Sequence, residues 1–262
     1  MTTDSLLLIG RETSTARDSF RTHADRLVRR AGVDDVEIAL YEEEPVRELR
    51  DRFARIDADT VYAVPMCAAH AHDTLDAVPG ALSYVEGDVR YCEPVGRSPA
   101  VTDVIEDRAA MSLPPDDDAA IVLVAFGSSS KPHHRRTAEY HVQRLRERSG
   151  YGQVISSYLV QNPAVECVRY AVETRRAVAV PLFVTRSPAT EERIPAALEL
   201  DRGGIEYADP LGKHPRITDA IHAEIERRRA LSTDSSEDAT FEDRLTRTTR
   251  PVATDGEGIH DA

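Results

Sequence analysis

The chain has 262 residues, 41% of them hydrophobic, which is enough for one large domain or two small ones with real cores. No apolar run reaches the ~18 residues of a membrane span, and MTTDSLLLIG lacks the basic start and long apolar stretch of a signal peptide, so a cytoplasmic protein is expected. A formal net charge of −13 argues against nucleic acid and anionic membranes as partners.

SLLLIG is a short apolar run that suits a buried strand. A helix follows from about 15 to 31, with Leu27 and Val28 at helical intervals from Phe20. VEIALY is a second strand, and Pro45 opens the next helix at a favoured position. TVYAVPM and DVRYCEP are the third and fourth strands, with a helix from about 99 to 110 after them. SLPPDDDAA is polar, rich in proline, and reads as a linker. The order then repeats: AIVLVAFG, a helix near 134–148, VISSYLV, a helix from Pro163, AVAVPLFV, IEYADP, and a helix from Pro215 to about Leu231. The remainder, STDSSEDATFEDRLTRTTRPVATDGEGIHDA, has almost no apolar periodicity and is expected to be a disordered acidic tail.

The repetition has a register. Pro65 and Pro181 stand 116 positions apart, and so do Pro79 and Pro195, Pro94 and Pro210, Gly96 and Gly212, and Pro99 and Pro215. Pro and Gly punctuate loops, so the shared object is a framework of strands and turns. Strands alternating with helices imply parallel sheets covered on both faces, joined by right-handed crossovers. The predicted fold class is therefore α/β, with two similar lobes. Each is a four-stranded parallel sheet flanked by helices, and a ligand cleft lies between them. The predicted divisions are 1–111 for the first lobe, 112–118 for the linker, 119–231 for the second lobe and 232–262 for the tail. A monomer or a homodimer is expected.

Ligands of open α/β sheets bind beyond the carboxyl ends of the strands. The loops there carry His70, His72, His133, His134 and His214, together with Arg11, Arg135, Arg136, Arg186 and Arg193. His70 and His72 are two residues apart, so on extended backbone both imidazoles point to one side. Imidazole suits cobalt, nickel, iron or zinc. His133 and His134 are adjacent, point apart, and read as a loop leading into a helix. The run Ser128–Ser130 after a strand can hold an anion, yet the chain has no P-loop, no G-x-G-x-x-G after either first strand and no G-x-S-x-G elbow. Cys67, Cys92 and Cys167 form no C-x-x-C pair and read as reduced thiols. Lys131 and Lys213 are the only lysines, and tryptophan is absent. With so acidic a surface, this resembles the bias of salt-loving archaea, in which high salt screens self-repulsion.

The duplicated order, with A-V-P-L-F…I-P-A-A-L and D-P-L-G-x-H-P, resembles the class II tetrapyrrole chelatases from Leu6 to about Leu231. The nearest type is the long, two-lobe sirohydrochlorin cobaltochelatase. The family's metal site draws on a histidine in G-H-G-S after the first strand, an acidic residue after the second, and a histidine before D-I-P after the third. Here Gly10, Arg11, Glu12 and Thr13 replace G-H-G-S, and the acidic position falls on Tyr41, just before Glu42, Glu43 and Glu44. His72 lies four before Asp76, as in the family, with Pro79 one position late.

The resemblance implies metal insertion into sirohydrochlorin or a related carboxylated tetrapyrrole in cobalamin biosynthesis. Insertion removes two pyrrole protons, and neutral histidine is a suitable base. His72 is the first choice of catalytic residue, with His70 beside it. The metal contacts implied are His72, His70, Glu42 and Glu43. Arg11, Arg135, Arg136, Arg186 and Arg193 are the candidates to clamp substrate carboxylates. No tightly bound cofactor is implied, since the divalent metal, Co²⁺ first, is substrate. Two other classes stay open: a tetrapyrrole- or metal-binding carrier or subunit of the same pathway, and a two-lobe small-molecule binding module without metal.

Overall fold

The computed structural model describes residues 3–233. In the first lobe, β1 (Asp4–Arg11), β2 (Asp35–Tyr41), β3 (Thr60–Pro65) and β4 (Asp88–Tyr91) form a parallel sheet in the order β2-β1-β3-β4. Its helices are α1 (Ala16–Leu27), α2 (Pro45–Phe53), the short α3 (Val78–Leu82) and α4 (Ala100–Ser112). In the second lobe, β5 (Ala119–Ala125), β6 (Gln153–Tyr158), β7 (Arg176–Pro181) and β8 (Ile205–Tyr207) take the equivalent order β6-β5-β7-β8, again parallel. Its helices are α5 (His133–Arg148), the single turns α6 (Val168–Ala171) and α7 (Ile194–Ala197), and α8 (Pro215–Thr233). The fold is α/β, with two similar four-stranded lobes.

The register of prolines has a structural meaning. Pro65 pairs with Ile9 at the end of β3, and Pro181 pairs with Val124 at the end of β7. Each lobe then makes one π-helical turn, Asp73–Ala77 and Ala189–Arg193, fixed in the same way. The Tyr91 hydroxyl donates to the Thr74 carbonyl at 2.7 Å, and the Tyr207 hydroxyl to the Thr190 carbonyl at 2.7 Å. These pairs stand in the 116-residue register. Two sequence expectations differ in detail. Leu27 is buried but Val28 is exposed, because α1 closes there and the chain turns away. The helix expected from Pro163 shrinks to one turn from Val168, because the loop after β6 takes most of the chain available before β7. Except for its first two positions, the expected tail lies outside the described residues.

The central strands β1, β3, β5 and β7 are mostly apolar because both faces are covered. Leu7, Ile9, Val61 and Ala63 pack outward under α2 and α3, and Ala120, Val122 and Val124 pack under α6 and α7. The inner faces share one core, in which Leu6, Leu8 and Phe20 join Ile121, Leu123, Ala138, Ile217 and Ile221. The lobes are therefore fused through α1, α4, α5 and α8, with a cavity of about 400 Å³ between Glu93 and Arg97 of the first lobe and Glu224 and Arg227 of α8.

Two buried histidines stitch this seam reciprocally. His23 on α1 reaches Thr218 Oγ1 of α8 at 2.9 Å and the Gly212 carbonyl at 3.1 Å. His141 on α5 reaches Thr102 Oγ1 of α4 at 2.9 Å and the Gly96 carbonyl at 2.8 Å. Thr102 and Thr218, like Gly96 and Gly212, are register mates, so the seam has an approximate two-fold symmetry. A carbonyl only accepts, so Nε2 carries the proton in both rings and Nδ1 accepts from threonine. Burial pushes both pKa values down to about 4, so both rings are neutral at pH 7. Gly96 is required at its place, since a Cβ there would press into the backbone of Ala68. Gly96→Ala is expected to destabilise the protein by about 2 kcal/mol, read as a lower urea midpoint; an unchanged midpoint would show that the loop yields.

Candidate functional site

The carboxyl ends of β1, β2 and β3 bring Arg11, Tyr41 and Asp73 together. Asp73 Oδ2 accepts from Arg11 Nε at 3.0 Å and from the Tyr41 hydroxyl at 2.7 Å, while Oδ1 accepts from the Thr74 amide at 3.0 Å. Arg11 also donates to the Glu42 carbonyl at 3.0 Å and lies over the Tyr41 ring. Burial, then the charge of Asp73, pushes the Tyr41 phenol far up, so it stays a proton donor. The following loop is tied by Glu48, whose carboxylate accepts the amides of Glu42 at 2.7 Å, Glu43 at 3.0 Å and Glu44 at 2.7 Å. Those bonds hold the Glu48 carboxyl below the usual range. The Glu42 and Glu43 side chains are left in solvent.

A cavity of about 690 Å³ opens beside this network, lined by Arg11, Glu43, Arg47, Arg50, His72 and Asp73 among others. His72 is 88% exposed, and its Nδ1 lies 2.6 Å from Asp76 Oδ2. A carboxylate only accepts, so Nδ1 carries the proton and Nε2 keeps a free lone pair. This is an imidazole oriented by a carboxylate, the arrangement of a general base.

His70 goes elsewhere. His72 already has helical backbone, opening the π-helical turn, so the run from His70 to His72 is not extended and the two imidazoles do not share a side. His70 is buried, with Nδ1 3.3 Å from Thr74 Oγ1 and Nε2 3.5 Å from Glu93 Oε2. Both ring nitrogens are occupied, which leaves none for a metal. The contact with His70, and then Arg97, hold the Glu93 carboxyl down at about 2 despite its partial burial. Among the described residues, no three His, Cys, Asp or Glu side chains gather closely enough to hold a metal ion. The expected set of His72, His70, Glu42 and Glu43 is thus divided: His72 and Glu43 line the cavity, Glu42 supplies its carbonyl to Arg11, and His70 faces the seam.

Across the seam, the His133 ring meets the His70 ring edge-on, 5.8 Å between centroids, and His134 lies 6.4 Å from Phe126. Burial lowers the His133 pKa, and His70, Arg97, Arg136 and Lys131 lower it further. His134 falls to about 4 through burial and His133, with Asp73 opposing. The second lobe has no copy of the polar network. Phe126, Leu159 and Ala189 stand where the first has Arg11, Tyr41 and Asp73.

The expected arginine clamp is dispersed. Arg11 serves the cavity and Arg136 the His133 seam. Arg135 donates to the Asn162 carbonyl at 2.6 Å, Arg186 pairs with Asp209 at 2.5 Å beside a separate cavity, and Arg193 lies over Phe126. The sequence reading missed Asp73, Glu93, Arg47 and Arg50. Asp73 had a signal. In the family motif the histidine stands six before the proline, and six before Pro79 is Asp73.

The CbiX family profile matches residues 5–112 and again 120–228, one match per lobe. The chain belongs to the CbiX family. That family is the tetrapyrrole chelatase family its motifs resemble, and the two matches fall on the two CbiX-like repeats. A Halobacterium salinarum protein named "probable sirohydrochlorin cobaltochelatase" is 25% identical over 201 residues, covering 66% of this chain and 68% of that protein. SirB from Bacillus subtilis with Fe³⁺ superposes with a TM-score of 0.70 at 18% identity, covering 88% of this chain and 97% of that one. SirB from B. subtilis subspecies spizizenii in complex with cobalt gives 0.66 at 17%, covering 86% and 95%. The chelatase-like protein DR2241 of Deinococcus radiodurans gives 0.69 at 23%, over 86% of this chain and 55% of its own; this chain spans about half of that longer protein. The CbiX fold is thus the frame in which the cavity and the seam sit. No described helix is long and apolar enough to cross a membrane.

Proposed function

We propose that this CbiX-family protein inserts a divalent metal, cobalt first, into sirohydrochlorin or a related carboxylated tetrapyrrole. The observation that carries the reading is His72, held by Asp76 with Nε2 free, at the edge of a cavity that also presents Arg11, Arg47 and Arg50. Insertion exchanges M²⁺ for two pyrrole protons. His72 Nε2 takes a proton as the pyrrole nitrogen's electron pair turns to the metal. The arginines hold the rim carboxylates and orient the ring. The metal is a substrate, so an open site with few fixed donors suits its release into the product. Cobalt, and a place in cobalamin biosynthesis, draw support from the name of the Halobacterium relative. A cytoplasmic, salt-adapted setting draws support from composition alone.

A carrier that binds tetrapyrrole without inserting metal is the second reading. What favours it is the Arg11–Tyr41–Asp73 network at the three strand ends, where the family places its metal donors. Purified protein in high salt, mixed with sirohydrochlorin and Co²⁺ and followed by absorbance, separates the two. Insertion well above the uncatalysed rate is expected. Binding with no acceleration would replace the enzyme reading by the carrier. Fe²⁺ in the same assay tests the choice of metal.

A further inference from the structure

We propose that the strand ends of the second lobe form an apolar platform, centred on Phe126, on which one face of the macrocycle lies. This deepens the reading above and rests on its tetrapyrrole. The first lobe takes the proton, and the second holds the flat of the ring.

The duplication shows what changed. Arg11, Tyr41 and Asp73 form a polar network in the first lobe, and the same three places in the second hold Phe126, Leu159 and Ala189. All three changes run from polar to apolar, and they leave apolar surface in water. Phe126 is 37% exposed and Val160 40%. The two are neighbours, because the Phe126 carbonyl accepts the amides of both Leu159 and Val160 at 3.1 Å. A single exposed apolar side chain is ordinary on a protein surface. These gather where an α/β sheet binds its ligands, beyond the carboxyl ends of the strands. The rims of the two lobes are tied side by side there. Thr13, two residues beyond Arg11, donates to Thr185 Oγ1 at 3.1 Å, and the Arg186 amide donates to Thr15 Oγ1 at 3.1 Å. A line of rings crosses the seam: His70 meets His133 at 5.8 Å, and His134, the next residue, lies 6.4 Å from Phe126.

The charges beside the platform fit the same ligand. Arg193 lies over the Phe126 ring, 5.6 Å from its centroid, and Lys131 and Arg136 flank the two histidines that open α5. None of these three cations makes an ion pair among the described residues, in a chain of net charge −13. An aromatic surface with unpaired cations at its edge suits a flat π-system that carries acids on its rim. Face against face, the macrocycle removes Phe126 and Val160 from water. At its edge, Arg193 exchanges its attraction to the Phe126 ring for two hydrogen bonds to a carboxylate. These contacts persist from ground state to transition state, so they act on affinity and not on the chemical step. They also select for shape, because a planar conjugated ring lies flat on Phe126 and a puckered one does not.

The test uses the full chain in high salt. Metal-free sirohydrochlorin is the planar probe, and a carboxylated porphyrinogen, whose ring is unconjugated and puckered, is the non-planar one. Phe126→Ala is expected to weaken sirohydrochlorin binding about tenfold. It should raise KM for cobalt insertion by the same factor and leave kcat within about twofold. Its affinity for the porphyrinogen should stay within about twofold of wild type. Phe126→Leu keeps the apolar bulk and should lose about threefold, whereas Phe126→Trp should bind at least as tightly as wild type. Arg193→Gln should weaken both probes alike, since it meets carboxylates. If Phe126→Ala binds sirohydrochlorin as wild type does, loses both probes equally, or lowers kcat alone, the platform is wrong while the metal-insertion reading stands. If wild type binds no sirohydrochlorin, both fall together. Circular dichroism and the urea midpoint show whether Phe126→Ala is folded; should it not be, Phe126→Leu and Phe126→Trp decide, and equal affinity in Phe126→Leu and wild type would overturn the platform.

Discussion

Between pH 6.5 and pH 4 the protein is expected to lose about 6 kcal/mol of stability through His23 and His141, enough to unfold most domains. Each ring has a pKa of about 4 in the folded protein and the ordinary 6.5 when unfolded. Within that window the unfolded chain binds the extra protons, so falling pH favours unfolding. The stabilisation is complete above 6.5, is lost on the way down to about 4, and changes no further below that. One displaced pKa unit is worth about 1.4 kcal/mol, which gives about 3 kcal/mol for each ring. Burial is the main cause for both. Arg26 and Lys213 also oppose the charge on His23, as does Arg144 for His141, while the carbonyls of Gly212 and Gly96 favour it. Glu93, lowered from 4.5 to about 2, adds its own loss between those values and so overlaps the window only at its acid end. Urea midpoints measured across this range should fall steadily. His141→Gln should be less stable at pH 7 and should show about half the slope. A flat profile would mean that the rings take up protons in place and that the seam adapts.

His72→Ala is expected to reduce metal insertion by about 10²-fold or more. The ring is 88% exposed, and its ion pair with Asp76 is a surface pair on one turn, so stability should stay within about 0.5 kcal/mol of wild type. Asp76→Asn should cost less, about tenfold, because it removes the negative charge of the orienting acceptor and keeps the base. It should also shift the pH at which the rate begins to fall. Arg47→Ala and Arg50→Ala should act mainly on KM, since contacts to substrate carboxylates persist from ground state to transition state. Should His72→Ala insert cobalt as fast as wild type, the first-lobe cavity is not where the proton is taken.

The architecture was legible because punctuation survives where side chains diverge. Pro65 and Pro181 each close a third strand, and Tyr91 and Tyr207 each anchor a π-helical turn, so a 116-residue register in sequence became a superposable framework. The site was legible only in part. His70 and His72 invited a two-residue alternation, but that rule needs extended backbone, and His72 already has the helical backbone that opens the π-helical turn. Glu42 and Glu43 attracted notice as acids, yet the loop is organised by their amides bonded to Glu48. Arg135 and Arg186 looked available because their partners, the Asn162 carbonyl and Asp209, are brought to them only by the fold. His23 and His141 drew no attention at all, for their partners Gly212 and Gly96 lie 189 and 45 residues away in the opposite lobe.

The core shared by the two sheets has a mechanical consequence. Many two-lobed binders work as jaws, swinging about a hinge to swallow a ligand. Here such a swing would tear Leu6, Leu8 and Phe20 away from Ile217 and Ile221 and strand both reciprocal histidine contacts in the breach. The molecule is closer to a single block with an engraved edge. A flat macrocycle has to arrive at that edge from solvent and leave the same way, with any gating confined to the loops and side chains of the rim. The same rigidity explains where the repeat stayed symmetric and where it did not. The threonine, glycine and histidine of each half answer to the other half and have kept their pairing, whereas Arg11 and Phe126 answer only to what binds, and have parted.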